Sequence, residues 1–423
     1  MPQLRLDDPR VALAALASAV YGDPTRRLEV IGGTGTNGKT TTSWIIDEAL
    51  TALGQRPALL GTIESRGPGV REPAPYTTPE GDAIARFAKA VADAGATHLT
   101  MEVSSHALAE HRADAVCFAV AAFTNLTQDH LDFHQTMEAY FLAKARLFSE
   151  LSQRAAVINV DDPFGRRIAE AANAPLVLCV SREKDAEIRI LDEHGGREGV
   201  RARLDVLGHD AELVSPLIGA HNLDNLALAV GCLVALGQEA EQAASAASLC
   251  HSVPGRLERI DGLDGVSILV DYAHTPDALA RALGALAPIT PGRLIAVFGC
   301  GGDRDADKRP KMGRAAGAGA DVAIVTSDNP RTEDPLAIIA AIEVGVAEHL
   351  PRVADLGGAT RGYTVLEDRR AAIRLALNVA NEGDTILVAG KGHEDYQIRG
   401  TRKAHFDDRE EVRTAIALLG GRG

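Results

Sequence analysis

The chain has 423 residues, enough for two or three domains with their own cores, and 46% of them are hydrophobic, an ordinary share for a soluble globular fold. A formal net charge of −14 argues against a nucleic-acid partner, because backbone binding needs a basic face; any anionic substrate must be held by local cations. Cys117, Cys179, Cys232, Cys250 and Cys300 form no CxxC pair, and there is no signal peptide or membrane-length apolar run, so the sequence reads as cytoplasmic, without membrane insertion and with reduced thiols.

Residues 8–20 predict a helix, closed by Gly22-Asp23-Pro24. From Leu28 onward short apolar runs at 58–60, 98–103, 116–123, 156–160 and 176–180 alternate with helical patterns, including 41–53, 79–94 and 136–151. This alternation predicts an α/β fold with a mainly parallel sheet and crossover helices. Residues 186–218 alternate apolar and polar side chains around His194-Gly195-Gly196 and predict a small antiparallel β section. Helices at 222–236 and 240–250 follow, and Val253-Pro254-Gly255 marks a domain boundary. Strands at 267–270, 294–298, 322–325 and 385–388 then predict a second, Rossmann-like α/β domain. The two domains are expected at 27–253 and 254–423.

The segment Gly33-Thr34-Gly35-Thr36-Asn37-Gly38-Lys39-Thr40 lies between an apolar run and a helical pattern. A strand that turns through glycines into a helix start aims backbone N–H groups and the positive end of the helix dipole at one place, where polyphosphate fits. Lys39 can reach the outer phosphates and the Thr40 hydroxyl can ligate Mg²⁺. This is the P-loop pattern in the context that pattern requires.

Two polar clusters follow strands, where such sheets place function. Glu102-Val103-Ser104-Ser105-His106 is one; the other runs from Asn125 through Gln128-Asp129-His130 to His134. A carboxylate and an imidazole at neighbouring strand ends could hold Mg²⁺ on a triphosphate, with histidine the unusual ligand for so hard a cation. Either cluster alone would read as capping and loop hydrogen bonding.

Eight collinear segments resemble the Mur ligases: 34–42, Thr77-Thr78-Pro79, 102–106, 125–134, Asp271-Tyr272-Ala273-His274-Thr275-Pro276-Asp277, 299–310, Asp328-Asn329-Pro330-Arg331 and 390–396. Within the family the chain is similar to the branch that adds the third peptide residue to the cell-wall precursor. The resemblance runs from about residue 4 to the C-terminus. It implies phosphorylation of a substrate carboxylate by ATP, then attack of an incoming amine on the acyl phosphate. It further implies that Gly35, Thr36, Asn37, Gly38, Lys39, Thr40 and Thr41 bind ATP, with His221, Asn222 and Asn225 at the adenine, and Arg256 and Asp271 at the phosphates and ribose. Lys39, Glu102, His130 and Lys144 take the catalytic places. Thr40 and Glu102 match ligands of one Mg²⁺ and His130 a ligand of a second, while Lys144 matches a lysine carbamylated by CO₂ into an anionic oxygen ligand. Without the resemblance Lys144 reads as a solvated helix lysine.

Thr77, Thr78, Ser104 and Arg112 match acceptor contacts. Arg304, Asp328, Asn329, Pro330, Arg331, Gly390 and Glu394 match amino-acid contacts of the type that takes meso-2,6-diaminopimelate, whose distal carboxylate suits a guanidinium and whose distal ammonium suits Asp and Glu. The implied acceptor is a muramoyl-L-alanyl-D-glutamate, UDP-linked in the family, and the implied protein is a monomer acting on small molecules. Alternatives are a Mur-type ligase with another carboxylate acceptor and an idle nucleotide-binding relative. Three departures stand out: residues 1–26 resemble only the last helix of the family's uridine-binding domain, Glu110 stands where many members have glutamine and would repel an anion unless paired, and Gly33 replaces an apolar residue and is expected to loosen its strand end.

Overall fold

The computed structural model describes residues 8–183 and 185–420; residues 1–7 of the expected 1–26 segment and residues 421–423 lie outside them. Asp8 starts the first helix, Pro9–Val20, by accepting from the Arg10 and Val11 amides, with Pro9 in the N-terminal position where its missing N–H does no harm. The chain divides into two compact units. The described residues through His194, with Gly199–Pro216 and Ala220–His251, form the first; Gly195–Glu198, Leu217–Gly219 and the described residues from Ser252 onward form the second.

The first unit is built on strands β1 (Glu29–Thr34), β2 (Pro57–Leu60), β3 (Glu64–Gly67), β4 (Val70–Pro73), β5 (His98–Glu102), β6 (Phe118–Phe123), β7 (Ser152–Asn159), β8 (Leu176–Ser181), β9 (Ile188–Gly196), β10 (Gly199–Val206) and β11 (His209–Ser215). They lie in one sheet in the order β11-β10-β9-β8-β7-β6-β1-β5-β2-β3-β4. The strands from β2 to β9 in that order, apart from the β3–β4 edge, pair in parallel, and β10–β11 pair antiparallel. The antiparallel section expected at 186–218 is therefore the continuation of the main sheet.

Apolar side chains of the helix Gly81–Asp93 at Ile84, Phe87, Ala88 and Val91, spaced for one helical face, join Leu99, Met101 and Phe118 of the sheet in the core. The helix expected at 136–151 runs only over Met137–Arg146 and passes into a wider π-type turn, Leu147–Leu151. Gly33 does not loosen its strand. It pairs in register with Glu102 and its carbonyl accepts from the Val103 amide at 2.8 Å, so the ladder, which needs only backbone, holds it.

The second unit has strands β12 (Glu258–Arg259), β13 (Ser267–Asp271), β14 (Leu294–Phe298), β15 (Val322–Val325), β16 (Gly362–Val365) and β17 (Thr385–Ala389) in the order β12-β13-β17-β14-β15-β16. All these pairs are parallel except β12–β13. A separate hairpin, β18 (Tyr396–Arg399) and β19 (Arg402–His405), stands beside the sheet's functional loops. Among the described residues no helix is long and apolar enough to cross a membrane.

Candidate active site

Strand β1 lies between β5 and β6, and later strands extend the sheet on both sides of it. Its carboxyl end is thus a topological switch point, the place where sheets of this kind bind their ligands. Two glycines shape the turn there. Gly35 and Gly38 have φ of 154° and 85°, and added Cβ atoms would fall 1.9 Å from Thr124 Oγ1 and 2.4 Å from Asn225 Oδ1. Asn125 braces the loop: its carbonyl accepts from the Thr36 amide at 2.8 Å, its Oδ1 from the Asn37 amide at 3.0 Å, and its Nδ2 donates to the Asn37 carbonyl at 3.1 Å. The Thr36 hydroxyl accepts from the Thr127 amide at 3.0 Å and lies 3.1 Å from the Tyr140 hydroxyl. Lys39 folds back over the turn, donating to the Gly35 and Thr36 carbonyls at 2.9 and 3.0 Å. Thr41 is buried in the first turn of the helix Lys39–Ala52. The result is a braced, glycine-containing cradle carrying the Lys39 ammonium.

Beside it the Thr40 hydroxyl donates to Glu102 Oε2 at 2.9 Å. Glu102 is 1% exposed, and its position is fixed by Thr62, whose amide donates to Oε1 at 2.7 Å and whose hydroxyl donates to Oε2 at 3.0 Å. Thr62 also lies 3.1 Å, hydroxyl to hydroxyl, from Thr77. Sequence reasoning passed over Thr62; its place just after β2, beside the β5 end, was the available signal. Hydroxyl and carboxylate oxygens are the donors Mg²⁺ prefers. Among the described residues no three His, Cys, Asp or Glu side chains are grouped to hold a metal, so a cation at Thr40 and Glu102 would complete its shell with substrate and water oxygens, as Mg²⁺ on polyphosphate does.

The helix Met137–Arg146, capped by Thr136, brings Lys144 under the same loop. Lys144 is 1% exposed, donates to the Gly35 carbonyl at 2.8 Å and lies 4.8 Å from the Tyr140 ring centre. Burial, reinforced by the charge of Lys39, pushes its amine well below the ordinary lysine range. It is not the solvated lysine that its helical setting suggests. His130 adopts a positive φ of 52° and presents its ring edge-on to His106, 4.8 Å away. Burial chiefly lowers its pKa, and its Nε2 lies 3.6 Å from Asp129 Oδ2.

The acceptor positions meet this centre through Thr78. Its hydroxyl donates to the Glu102 carbonyl and accepts from the Ser104 amide, both at 2.9 Å, while Ser104 caps the next helix through the Ala107 amide. Arg112 donates to the Thr78 carbonyl at 3.1 Å. The repulsion expected of an unpaired Glu110 does not arise, because Arg10 and Arg112 bracket its carboxylate. Burial opposes ionisation there, but the two arginines hold the Glu110 carboxyl below its ordinary range.

Asn222 and Asn225 lie inside the helix Ala220–Ala235, which begins two residues earlier than predicted, so they do not cap it. Asn225 Oδ1 accepts from the Thr42 hydroxyl at 3.2 Å, and its Nδ2 donates to Asn222 Oδ1 at 3.0 Å, tying both to the P-loop helix. His221 is exposed in the first turn.

The remaining predicted residues belong to the second unit. Asp271 receives the Leu257 and Ala273 amides at 2.7 and 2.8 Å, and Arg256 lies over the Tyr272 ring. After β15 comes Asp328-Asn329-Pro330-Arg331, organised by Lys391, which sequence reasoning missed. Lys391 is fully buried, 3.3 Å from Asp328 Oδ1, and donates to Asn329 Oδ1 at 3.2 Å; Asn329 donates in turn to Glu394 at 3.1 Å. Gly390, beside Asp328, has φ 120°. Arg331 donates to the Gly302 carbonyl at 2.7 Å, whereas Arg304 is exposed and reaches only the Asp303 carbonyl, at 3.5 Å. Lys391→Met removes the nearest cation from buried Asp328, and the unfolding free energy is expected to fall by roughly 3–5 kcal/mol. Urea unfolding measures it; an unchanged midpoint would show that Asp328 does not depend on this lysine.

Residues 34–233 match the Mur ligase middle domain, and residues 255–392 match the Mur ligase glutamate ligase domain. The UDP-N-acetylmuramoyl-L-alanyl-D-glutamate--2,6-diaminopimelate ligase of Geobacter metallireducens is 47% identical over 435 residues, covering 100% of this chain and 85% of the relative. The chain belongs to the Mur ligase family. The protein of the same name from Gloeobacter violaceus is 48% identical, covering 100% of this chain and 84% of its own. A solved structure with that ligase name superposes with a TM-score of 0.71 at 36% identity, over 97% of this chain and 83% of that one. Folylpolyglutamate synthase of Mycobacterium tuberculosis shares the fold, with a TM-score of 0.72 at 21% identity, over 96% of this chain and 95% of that one. The Mur ligase match thus spans both units, including the P-loop cradle and the Lys391-centred cluster.

Proposed function

We propose that this chain is an ATP-dependent, ADP-forming ligase that joins meso-2,6-diaminopimelate to a muramoyl-L-alanyl-D-glutamate acceptor, UDP-linked, in peptidoglycan precursor synthesis. The observation that carries the reading is the convergence of the P-loop cradle, the Thr40–Glu102–Thr62 cluster and buried Lys144 at one strand end. We assign 27–253 as the ATP-binding domain and 254–423 as the amino-acid-binding domain; the protein acts as a cytoplasmic monomer.

An acceptor carboxylate oxygen attacks the γ-phosphorus of ATP, ADP leaves, and an acyl phosphate results. The diaminopimelate amine then attacks the acyl carbon, inorganic phosphate departs and the nitrogen loses a proton. Lys39 draws off charge from the transferring phosphoryl group, and the cradle amides hold the rest of the polyphosphate. Thr40 and Glu102 would hold one Mg²⁺, with His130 and a carbamylated Lys144 for a second. Bound there, Mg²⁺ supplies charge neutralisation on the phosphate oxygens. Thr77, Thr78, Ser104 and Arg112 position the acceptor; His221, Asn222, Asn225, Arg256 and Asp271 hold the rest of the nucleotide.

Mass spectrometry of reactions containing ATP, Mg²⁺, meso-diaminopimelate and muramoyl dipeptides, UDP-linked or free, tests the reading. A product extended by one diaminopimelate, with stoichiometric ADP and phosphate, is expected. ADP release without an amide product, or no turnover of any acceptor, would overturn it. The chemistry also predicts that acceptor alone, without amino acid, scrambles ¹⁸O from the β,γ-bridge of ATP into non-bridging positions, because acyl-phosphate formation is reversible. An absence of scrambling, together with failure of hydroxylamine to trap an acyl hydroxamate from the acceptor, would overturn the acyl-phosphate step.

A further inference from the structure

We propose that Arg10 is a specificity-determining residue for the acceptor: it cancels the charge of Glu110 and so leaves Arg112 with net attraction for an anionic substrate. The proposal rests on reading Thr77, Thr78, Ser104 and Arg112 as acceptor contacts.

The Glu110 carboxylate has one oxygen engaged by each of two arginines. Oε1 takes Arg10 Nη1 at 2.5 Å, and Oε2 takes Arg112 Nη2. Arg112 also pairs through Nε with Glu80 Oε1 at 3.0 Å. Its guanidinium thus faces two acids, and any carboxylate approaching it meets their field as well. With Arg10 in place the cluster holds two cations and two anions. Without Arg10 it carries a net negative charge at the place where an anionic acceptor must dock.

The placement of Arg10 matches this role. Glu110 and Arg112 are mostly covered, with side-chain exposures of 16% and 17%, whereas Arg10 is 60% exposed. An exposed pair of this kind contributes little to folding. Its field still acts on the neighbouring, less solvated Arg112, where charges interact more strongly than in bulk water. The helix Pro9–Val20 supplies the arginine from 100 positions earlier in the chain, in the turn that Asp8 caps. Arg112 is further held beside Glu110 by its hydrogen bond to the Thr78 carbonyl, and Thr78 is itself bonded to Glu102 and Ser104. The balance is therefore set by Arg10.

The test is a four-member cycle of wild type, Arg10→Ala, Glu110→Gln and the double variant, assayed with the UDP-linked muramoyl dipeptide. Arg10→Ala should raise the acceptor KM roughly fivefold, leave kcat and the KM for ATP within about twofold, and show the larger effect at low salt. Glu110→Gln should not raise the acceptor KM. The double variant should return the acceptor KM to the wild-type value, because Arg112 and Glu80 alone again balance to zero charge. A double variant as impaired as Arg10→Ala would make Arg10 a packing residue and overturn the proposal, as would a wild-type KM in Arg10→Ala. A wild type that turns over no muramoyl dipeptide would instead bring down the acceptor reading on which the proposal stands.

Discussion

Lys144→Ala is expected to lower turnover by about a hundredfold or more, because it removes charge organisation that matters mainly in the transition state. The structure gives this expectation a physical course. The amine is buried under the P-loop, held against the Gly35 carbonyl, and driven towards its neutral form by burial and by Lys39. A neutral amine is nucleophilic towards CO₂; the addition forms a C–N bond, releases one proton and leaves a carbamate. That would convert a buried neutral amine beside Lys39 into an anionic oxygen donor of the kind Mg²⁺ takes. Lys39→Ala should be comparably damaging for a different reason, the loss of the charge that meets the γ-phosphoryl. Steady-state kinetics with ATP and acceptor checks both, and added short carboxylic acids should partly restore Lys144→Ala but not Lys39→Ala. Near-wild-type turnover in Lys144→Ala would remove the lysine from the centre.

Much of this centre could be read from spacing because its elements are local. Strands 294–298 and 322–325 were readable to the residue, since each is a continuous apolar run buried on both faces. The hairpin of β3 and β4 was not, because Glu64-Ser65-Arg66-Gly67 is only half-buried throughout and lacks alternation. The β18–β19 hairpin, largely exposed, was missed for the same reason. In the site, the P-loop declares itself because glycines, lysine and threonine must be contiguous to wrap a phosphate. Thr62 and Lys391 do not, since each acts through residues distant in sequence, Glu102 and Asp328. The pairing of Glu110 with Arg10 likewise spans 100 positions, and no local rule announces it.

Wild-type enzyme is expected to favour meso-diaminopimelate over L-lysine by ~10⁴-fold in kcat/KM, the range reached by sites built to bond a polar group that the competitor lacks. The backbone prepares Arg331 for this. It sits at φ 51°, its amide donates to the Ile398 carbonyl at 3.1 Å, and its carbonyl accepts from the Gly400 amide at 2.6 Å, so the β18–β19 hairpin fixes its direction. Its guanidinium bonds the Gly302 carbonyl with one nitrogen, leaving donors for a distal carboxylate. Glu394, whose carboxyl burial raises, and Asp328, already paired with Lys391, would be the acceptors for the distal ammonium. Lysine would supply the ammonium and leave the arginine unanswered. Arg331→Ala should therefore lose diaminopimelate activity while gaining little with lysine, because removing an attraction does not build a lysine site. The ratio of kcat/KM for the two amino acids, in wild type and variant, decides the matter. Equal wild-type values, or a ratio that the substitution leaves unchanged, would return Asp328-Asn329-Pro330-Arg331 to the status of an ordinary turn.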